Sequence, residues 1–98
     1  MFSCRFYETA NEKLLAVCDS DLLGKTIEEK NMSLSVSKDF YGGKDHEKKD
    51  ILVLAKKSTI INAVGNKIVS LLMDEGIVSE KCVIKINDVM HAQVVVIR

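Results

Sequence analysis

The hydrophobic period of this chain changes twice, and that change constrains its fold more than any single motif. Residues 2–7, FSCRFY, alternate, with Phe2, Cys4 and Phe6 opposed to Ser3, Arg5 and Tyr7. Period two with aromatics predicts a half-buried strand. From about Glu47 to Glu75 the apolar positions recur at helical spacing. CVIKI at 82–86 and AQVVVIR at 92–98 then return to the composition of strands. Strands, helices and strands in that order indicate an α+β fold rather than a wound parallel sheet.

The first two strands are predicted to form a hairpin. LLAVC, 14–18, is a continuous apolar run too short for a helix, and reads as a central strand. The six residues ETANEK before it are too few for a parallel crossover. DSDLLGKTIEEKN follows as a loop, and MSLSVS, 32–37, alternates again as a third strand with Met32, Leu34 and Val36 on one side. FYGG, 40–43, breaks it.

In the helical region Ile51, Leu52, Leu54 and Ala55 share one face, and Ile61, Val64, Gly65, Ile68 and Leu72 share another. Ser58 or Thr59 is the expected N-cap of a second helix, Asn62 lies inside it, and Gly76 is placed to stop it. A tight turn at Asn87–Asp88–Val89 joins the last two strands. The predicted architecture is one domain, residues 1–98, in the order β-β-β-α-α-β-β. Its sheet is mostly antiparallel, with the helices packed on one face.

Composition narrows the function classes. The 98 residues hold 14 Lys plus Arg and 14 Asp plus Glu, so bulk positive charge cannot hold nucleic acid or anionic lipid. With 47% hydrophobic residues the chain is not a disordered acidic tail either. Cys4, Cys18 and Cys82 are odd in number and lack CxxC spacing, and His46 and His91 stand apart from them. A disulfide framework and a zinc site are therefore not expected; buried thiols in a reducing compartment are. No secretory leader or 18-residue apolar span is visible, which predicts a cytoplasmic protein without membrane attachment. Neither a metal nor another cofactor is expected.

Several short strings carry candidate chemistry. Gly24–Lys25–Thr26 resembles the end of a phosphate-binding loop, but the first glycine of that pattern would fall at Asp19, whose charge opposes phosphate. Asp19 and Asp21 two residues apart suit a cation or a turn held by side-chain hydrogen bonds. Phe40, Tyr41, Gly42 and Gly43 join two aromatics to a flexible turn, beside Lys44, Lys48 and Lys49. Aromatics next to lysines are one signature of base stacking with phosphate neutralisation. Charge is uneven in the same sense: residues 38–57 carry six basic and four acidic side chains, and residues 1–37 carry four and six. His91 and Gln93 open the last strand, where a histidine could serve as acid or base if a partner were positioned.

Taken together, AVCDSDLLGKT, FYGG, TIINAVGNKIV and HAQ, in this order, resemble the archaeal family listed as domain of unknown function 424. The resemblance runs from about Phe2 to Val96. It implies a small cytoplasmic archaeal protein and carries over no catalytic residue. A link to the translation machinery is a suspicion about that family.

Three functions follow as expectations. The leading one is a non-enzymatic module that docks on RNA or a ribonucleoprotein through Lys25, Phe40, Tyr41, Lys44, Lys48 and Lys49, with Gly42 and Gly43 allowing close approach. The second is a small-molecule-binding enzyme in which Asp19, Asp21 and Lys25 of the Asp19–Thr26 loop meet Asn62 and His91. The third is a protein–protein adaptor or homodimer, paired through an open strand edge at the apolar C-terminal VVVIR.

Overall fold

The computed structural model describes residues 1–96. Its main sheet has six strands in the order β5-β1-β2-β6-β8-β7. These are β1 (Phe2–Glu8), β2 (Lys13–Asp19), β5 (Asp45–His46), β6 (Ile60–Val64), β7 (Val83–Ile86) and β8 (Val89–Val95). A separate antiparallel hairpin is made by β3 (Thr26–Glu29) and β4 (Met32–Ser35). Three α-helices complete the domain: α1 (Lys38–Tyr41), α2 (Lys48–Lys57) and α3 (Asn66–Asp74). The mainly antiparallel α+β architecture is the expected one, and β1 and β2 form the expected hairpin.

The element order differs from the expected one at the centre of the chain. Residues 60–64, read as the start of a second helix, form β6, which runs parallel to β2 and antiparallel to β8. Strand β6 is buried on both faces, with Ile61, Ala63 and Val64 inaccessible to solvent. A strand of that kind is apolar at nearly every position, so its sequence merges with the helical pattern that follows. Thr59 is accordingly not a helix cap; its N–H donates to the Lys13 carbonyl at 2.7 Å. Ser58 does not cap a following helix either, and its hydroxyl donates back to the Leu54 carbonyl at 2.7 Å. The β2–α2–β6 connection is the crossover that a parallel pair requires.

Alternation along the central strands divides the core in two. Leu15, Val17, Ile61, Ala63, Ala92 and Val94 face α2 and α3, and pack against Ile51, Ala55, Ile68, Val69, Leu71 and Leu72. Ala16, Cys18 and Val64 face the opposite side, where Tyr41 of α1, Ile27 of β3, Val36 and Ile86 cover them. The helices thus occupy both faces, and only α2 and α3 share one. The β3–β4 hairpin also takes the third predicted strand out of the main sheet.

Turns follow their local chemistry. Helix α3 ends where expected: Gly76 has φ +72°, its N–H donates to Met73 and the Ile77 N–H to Leu72. This pair of bonds satisfies carbonyls that the last helical turn leaves open. Asn87 and Asp88 both have positive φ, 47° and 63°, the geometry of a two-residue hairpin turn. Strand β8 is paired with both β6 and β7 over His91 and Ala92, while Val94 and Val95 pair with β6 alone. The described start of the C-terminal apolar run, Val94 and Val95, is therefore paired on one side only, and the end strands of the sheet are β5 and β7. Ile97 and Arg98, the end of VVVIR, lie outside the described residues. Among those residues, no helix is long and apolar enough to cross a membrane.

Candidate functional site

Strand register, rather than proximity in sequence, builds the polar cluster at the centre of the molecule. Cys18 is aligned with Val64, Val64 with His91 and His91 with Ile84, across β2, β6, β8 and β7. One step along, Ala16 is aligned with Asn62 and Asn62 with Gln93. All of these side chains lie on the face opposite α2 and α3, because side chains two residues apart share a face. Asn62 and His91, 29 residues apart in sequence, thereby become diagonal neighbours on adjacent strands.

The Asn62 side chain holds this cluster together. Its Oδ1 accepts a hydrogen bond from the Tyr41 hydroxyl at 2.7 Å and lies 3.1 Å from His91 Nε2. Since Oδ1 is an acceptor, the His91 proton sits on Nε2, leaving Nδ1 as an acceptor. No buried side-chain polar atom among the described residues lacks a partner. Asn62 Nδ2 and His91 Nδ1, which take part in no hydrogen bond among the described residues, therefore reach solvent. The cluster offers an amide NH2 and one ring-nitrogen acceptor outward, both oriented from beneath.

Its electrostatics are those of neutral groups. Burial lowers the His91 pKa, so the imidazole is uncharged at neutral pH. Burial, with a smaller contribution from nearby Cys18, pushes the Tyr41 phenol up to about 12. Cys18 is also pushed up to about 12 by burial, reinforced by Asp19 and Asp21. It is a thiol, not a thiolate, and a poor nucleophile at neutral pH. The open part of the same face continues along Leu14, Ile60 and Val95. Val95 is 71% exposed and Ile84 48% exposed, so this half of the sheet lacks the cover that the other half has.

The aromatic turn lies beside the cluster and is already engaged. Tyr41 is buried, 3% exposed, so its ring is not available for stacking on a base. Phe40 stacks on Tyr7 with centroids 5.6 Å apart, and meets Tyr41 edge-on at 4.9 Å. The Tyr7 hydroxyl donates to the Phe40 carbonyl at 2.8 Å. Arg5 Nε donates to the Gly42 carbonyl, and Ser3 Oγ to the Tyr41 carbonyl, each at 3.0 Å. The two glycines are required by close backbone approach: a β-carbon at Gly42 would meet the Lys38 carbonyl, and one at Gly43 the Cys4 carbonyl. They seat α1 on β1, a structural task that the sequence pattern does not reveal.

The acidic loop does not join the cluster. Asp19, at the end of β2, is buried and its carboxylate accepts from the N–H groups of Lys67 and Ile68, at 3.1 and 2.9 Å. It caps the first turn of α3, where negative charge is favoured. Burial raises its pKa against the opposing effect of those two hydrogen bonds. Asp21 is exposed in a 3-10 turn over Ser20–Leu22, so the two carboxylates do not form one cation site. Among the described residues no group of three His, Cys, Asp or Glu side chains could hold a metal. The loop amides of Gly24 and Lys25 donate to the Val36 and Leu22 carbonyls, leaving no cradle for phosphate. Thr26 begins β3 and is exposed, as is Lys25.

The lysines fall on different sides. Lys25 is near α1, since Gly24 beside it lies against the Lys38 stem. Lys44 precedes the β5 edge. Lys48 and Lys49 open α2, which packs on the other side of the sheet from α1. Lys48 and Lys49 therefore do not share one face with Phe40. Asn66 was not singled out by sequence: its amide donates to the Asp88 carbonyl and accepts from the Met90 N–H. A polar residue immediately after a glycine at a strand end was the only signal for it.

Comparison with known proteins shows that the fold is shared. A family model described as "Protein of unknown function (DUF424)" matches residues 7–97. The structure is similar to the crystal structure of an uncharacterised conserved protein from Methanopyrus kandleri, with a TM-score of 0.78 and 29% sequence identity. That similarity covers 99% of this chain and 93% of the other. A search of curated proteins returned no match.

Proposed function

The chain belongs to the DUF424 family of proteins of unknown function, and we propose from its geometry that it is a non-enzymatic module that binds single-stranded RNA. The surface is the open half of the sheet face around Asn62, His91 and Gln93. One observation carries the reading: Asn62 Oδ1 takes hydrogen bonds from both Tyr41 and His91, so the outward Asn62 amide and His91 Nδ1 are fixed in direction and neutral. A preset donor beside a preset acceptor suits the edge of an unpaired base. Gln93, exposed directly opposite Asn62, adds a second amide. Arg5 lies on the same face, and Lys38 of α1 with Lys25 near it supplies phosphate contacts at its margin. An archaeal origin and a place beside the translation machinery are part of this proposal.

Fluorescence anisotropy with short single-stranded RNA tests it. Binding is expected to weaken with salt at a slope near −0.7 per phosphate contacted, and about tenfold on Asn62→Ala, the loss of roughly one good base contact. Absence of binding at about 20 mM salt, where electrostatic attraction is least screened, would overturn the reading.

The Asn62–His91 hydrogen bond also favours one alternative, a small-molecule-binding enzyme. It would have to work with Asn62, His91 and Gln93, because Asp19 is committed to α3. Loss of metabolite binding in His91→Ala, with RNA binding retained, would favour it.

A further inference from the structure

The sheet is wider than the two helices on one of its faces. Helix α2 packs over β1 and β2, and α3 over β2, β6 and β8. Beyond α3, at the β8–β7 margin, the surface opens into a pocket of about 430 Å³ lined by Met73, Glu80, Val83, Lys85 and Met90. The strand pleat explains its position. Met90 points to the helix side while its neighbour His91 points to the other, and Lys85 and Val83 stand opposite Met90 and Ala92. Met73 comes from the last turns of α3 and Glu80 from the 3-10 turn over Glu80–Cys82.

We propose that this pocket binds a small zwitterion with an apolar chain, the class of free aliphatic or thioether α-amino acids. Met73, Met90 and Val83 are half-buried and form an apolar floor. Glu80 and Lys85 bring opposite charges to it, and among the described residues neither is in an ion pair or a side-chain hydrogen bond. A purely apolar guest would use neither charge, and a guest of one charge would pair with one and not the other. An α-ammonium toward Glu80 and an α-carboxylate toward Lys85 satisfies both. The volume falls in the range of small-molecule sites, and flexible thioethers adapt to linear or branched chains.

An extended peptide added to the β7 edge is a poorer fit. The Val83 N–H is taken by the Glu80 carbonyl and the Asn87 N–H by Glu29 Oε1. Only Lys85 offers both edge groups, because Ile86 and Val89 flank the two-residue turn as a bonded pair and Lys85–Met90 is the next, unbonded one. A short edge carrying lysine is one that resists strand addition.

The pocket lies on the face opposite Asn62 and His91, so its occupancy is independent of the RNA reading. The test is a methyl NMR titration of the full chain, whose four methionines are Met1, Met32, Met73 and Met90. With L-leucine or L-methionine, saturable shifts are expected at Met73 and Met90 and not at Met1 or Met32. N-acetyl-leucine and leucinamide, each keeping one charge, are expected to bind about tenfold more weakly or worse. Glu80→Gln and Lys85→Gln, both at exposed positions, are expected to abolish that preference while leaving the spectrum folded. No saturable shift up to about 50 mM amino acid, a limit far weaker than ordinary metabolite sites, would overturn the proposal. Equal binding of the capped forms would do the same and leave only an apolar depression.

Discussion

The Asp19 carboxylate occupies the space in which a β-carbon on Gly65 would lie. Gly65 has φ +128° at the junction of β6 and α3, so both its backbone conformation and its missing side chain serve the same contact. The carboxylate reaches across this gap to the N–H groups of Lys67 and Ile68, joining the end of β2 to the start of α3.

Gly65→Ala should therefore be severely destabilising, by about 3 kcal/mol or more, since strained backbone and an overpacked contact add. Asp19→Ala should cost about 1–2 kcal/mol as a lost cap. The double variant is expected to be less unstable than the sum, because without the carboxylate only the backbone strain remains. Urea unfolding of the four proteins measures this; strict additivity would show that the two residues do not share one contact.

How much of this was legible in the sequence depended on whether the signal was local. The β1–β2 hairpin, the Gly76 helix stop and the Asn87–Asp88 turn each rest on residues within a few positions, and each is present. Residues 60–64 carry a helical signal because burial on both faces removes the alternation that marks a strand. The β-branched Thr59, Ile60, Ile61 and Val64, ended by Gly65, were the clue that they are a strand. Asn62 and His91 were singled out separately, as a misplaced polar residue and a strand-end histidine. Their pairing needed the register of β6 against β8, and periodicity carries no register. Asp19 stands in sequence beside Asp21, but its partners lie 48 and 49 residues away.

Tyr41→Phe removes one of the two hydrogen bonds to Asn62 Oδ1. A loss of about 0.5–1.5 kcal/mol in urea unfolding is expected, the net worth of one such bond. RNA affinity should fall as well, because the Asn62 amide loses part of its orientation, although Tyr41 is too buried to touch a base. Unchanged affinity in this variant would separate the cluster from binding.

The cysteines should differ sharply in reactivity. Cys4 and Cys18 are buried and Cys82 is exposed, correcting the expectation of three buried thiols. Burial raises the pKa of Cys4, and that of Cys18 to about 12. A chromogenic disulfide reagent should titrate one thiol rapidly in the native protein and three in denaturant, and Cys82→Ser should abolish the fast phase. A second fast thiol in the native state would contradict the burial of Cys4 and Cys18.

Protonation of His91 should make the fold less stable in mild acid. In the unfolded chain the imidazole gains its proton near 6.5, while burial holds the folded value lower. The unfolded state thus binds the proton first, so the stability associated with neutral His91 is fully present above pH 6.5 and is lost as pH falls through the folded value. Asp19 acts in the opposite sense. Its folded pKa is raised from 3.8, so its contribution is complete below 3.8 and is lost as pH rises through the folded value. Between pH 7.5 and 5, then, the urea midpoint of the wild type should decline, and His91→Gln should decline less steeply. An identical slope in the two proteins would mean that His91 titrates alike in the folded and unfolded states, and that burial beside Asn62 does not hold it neutral.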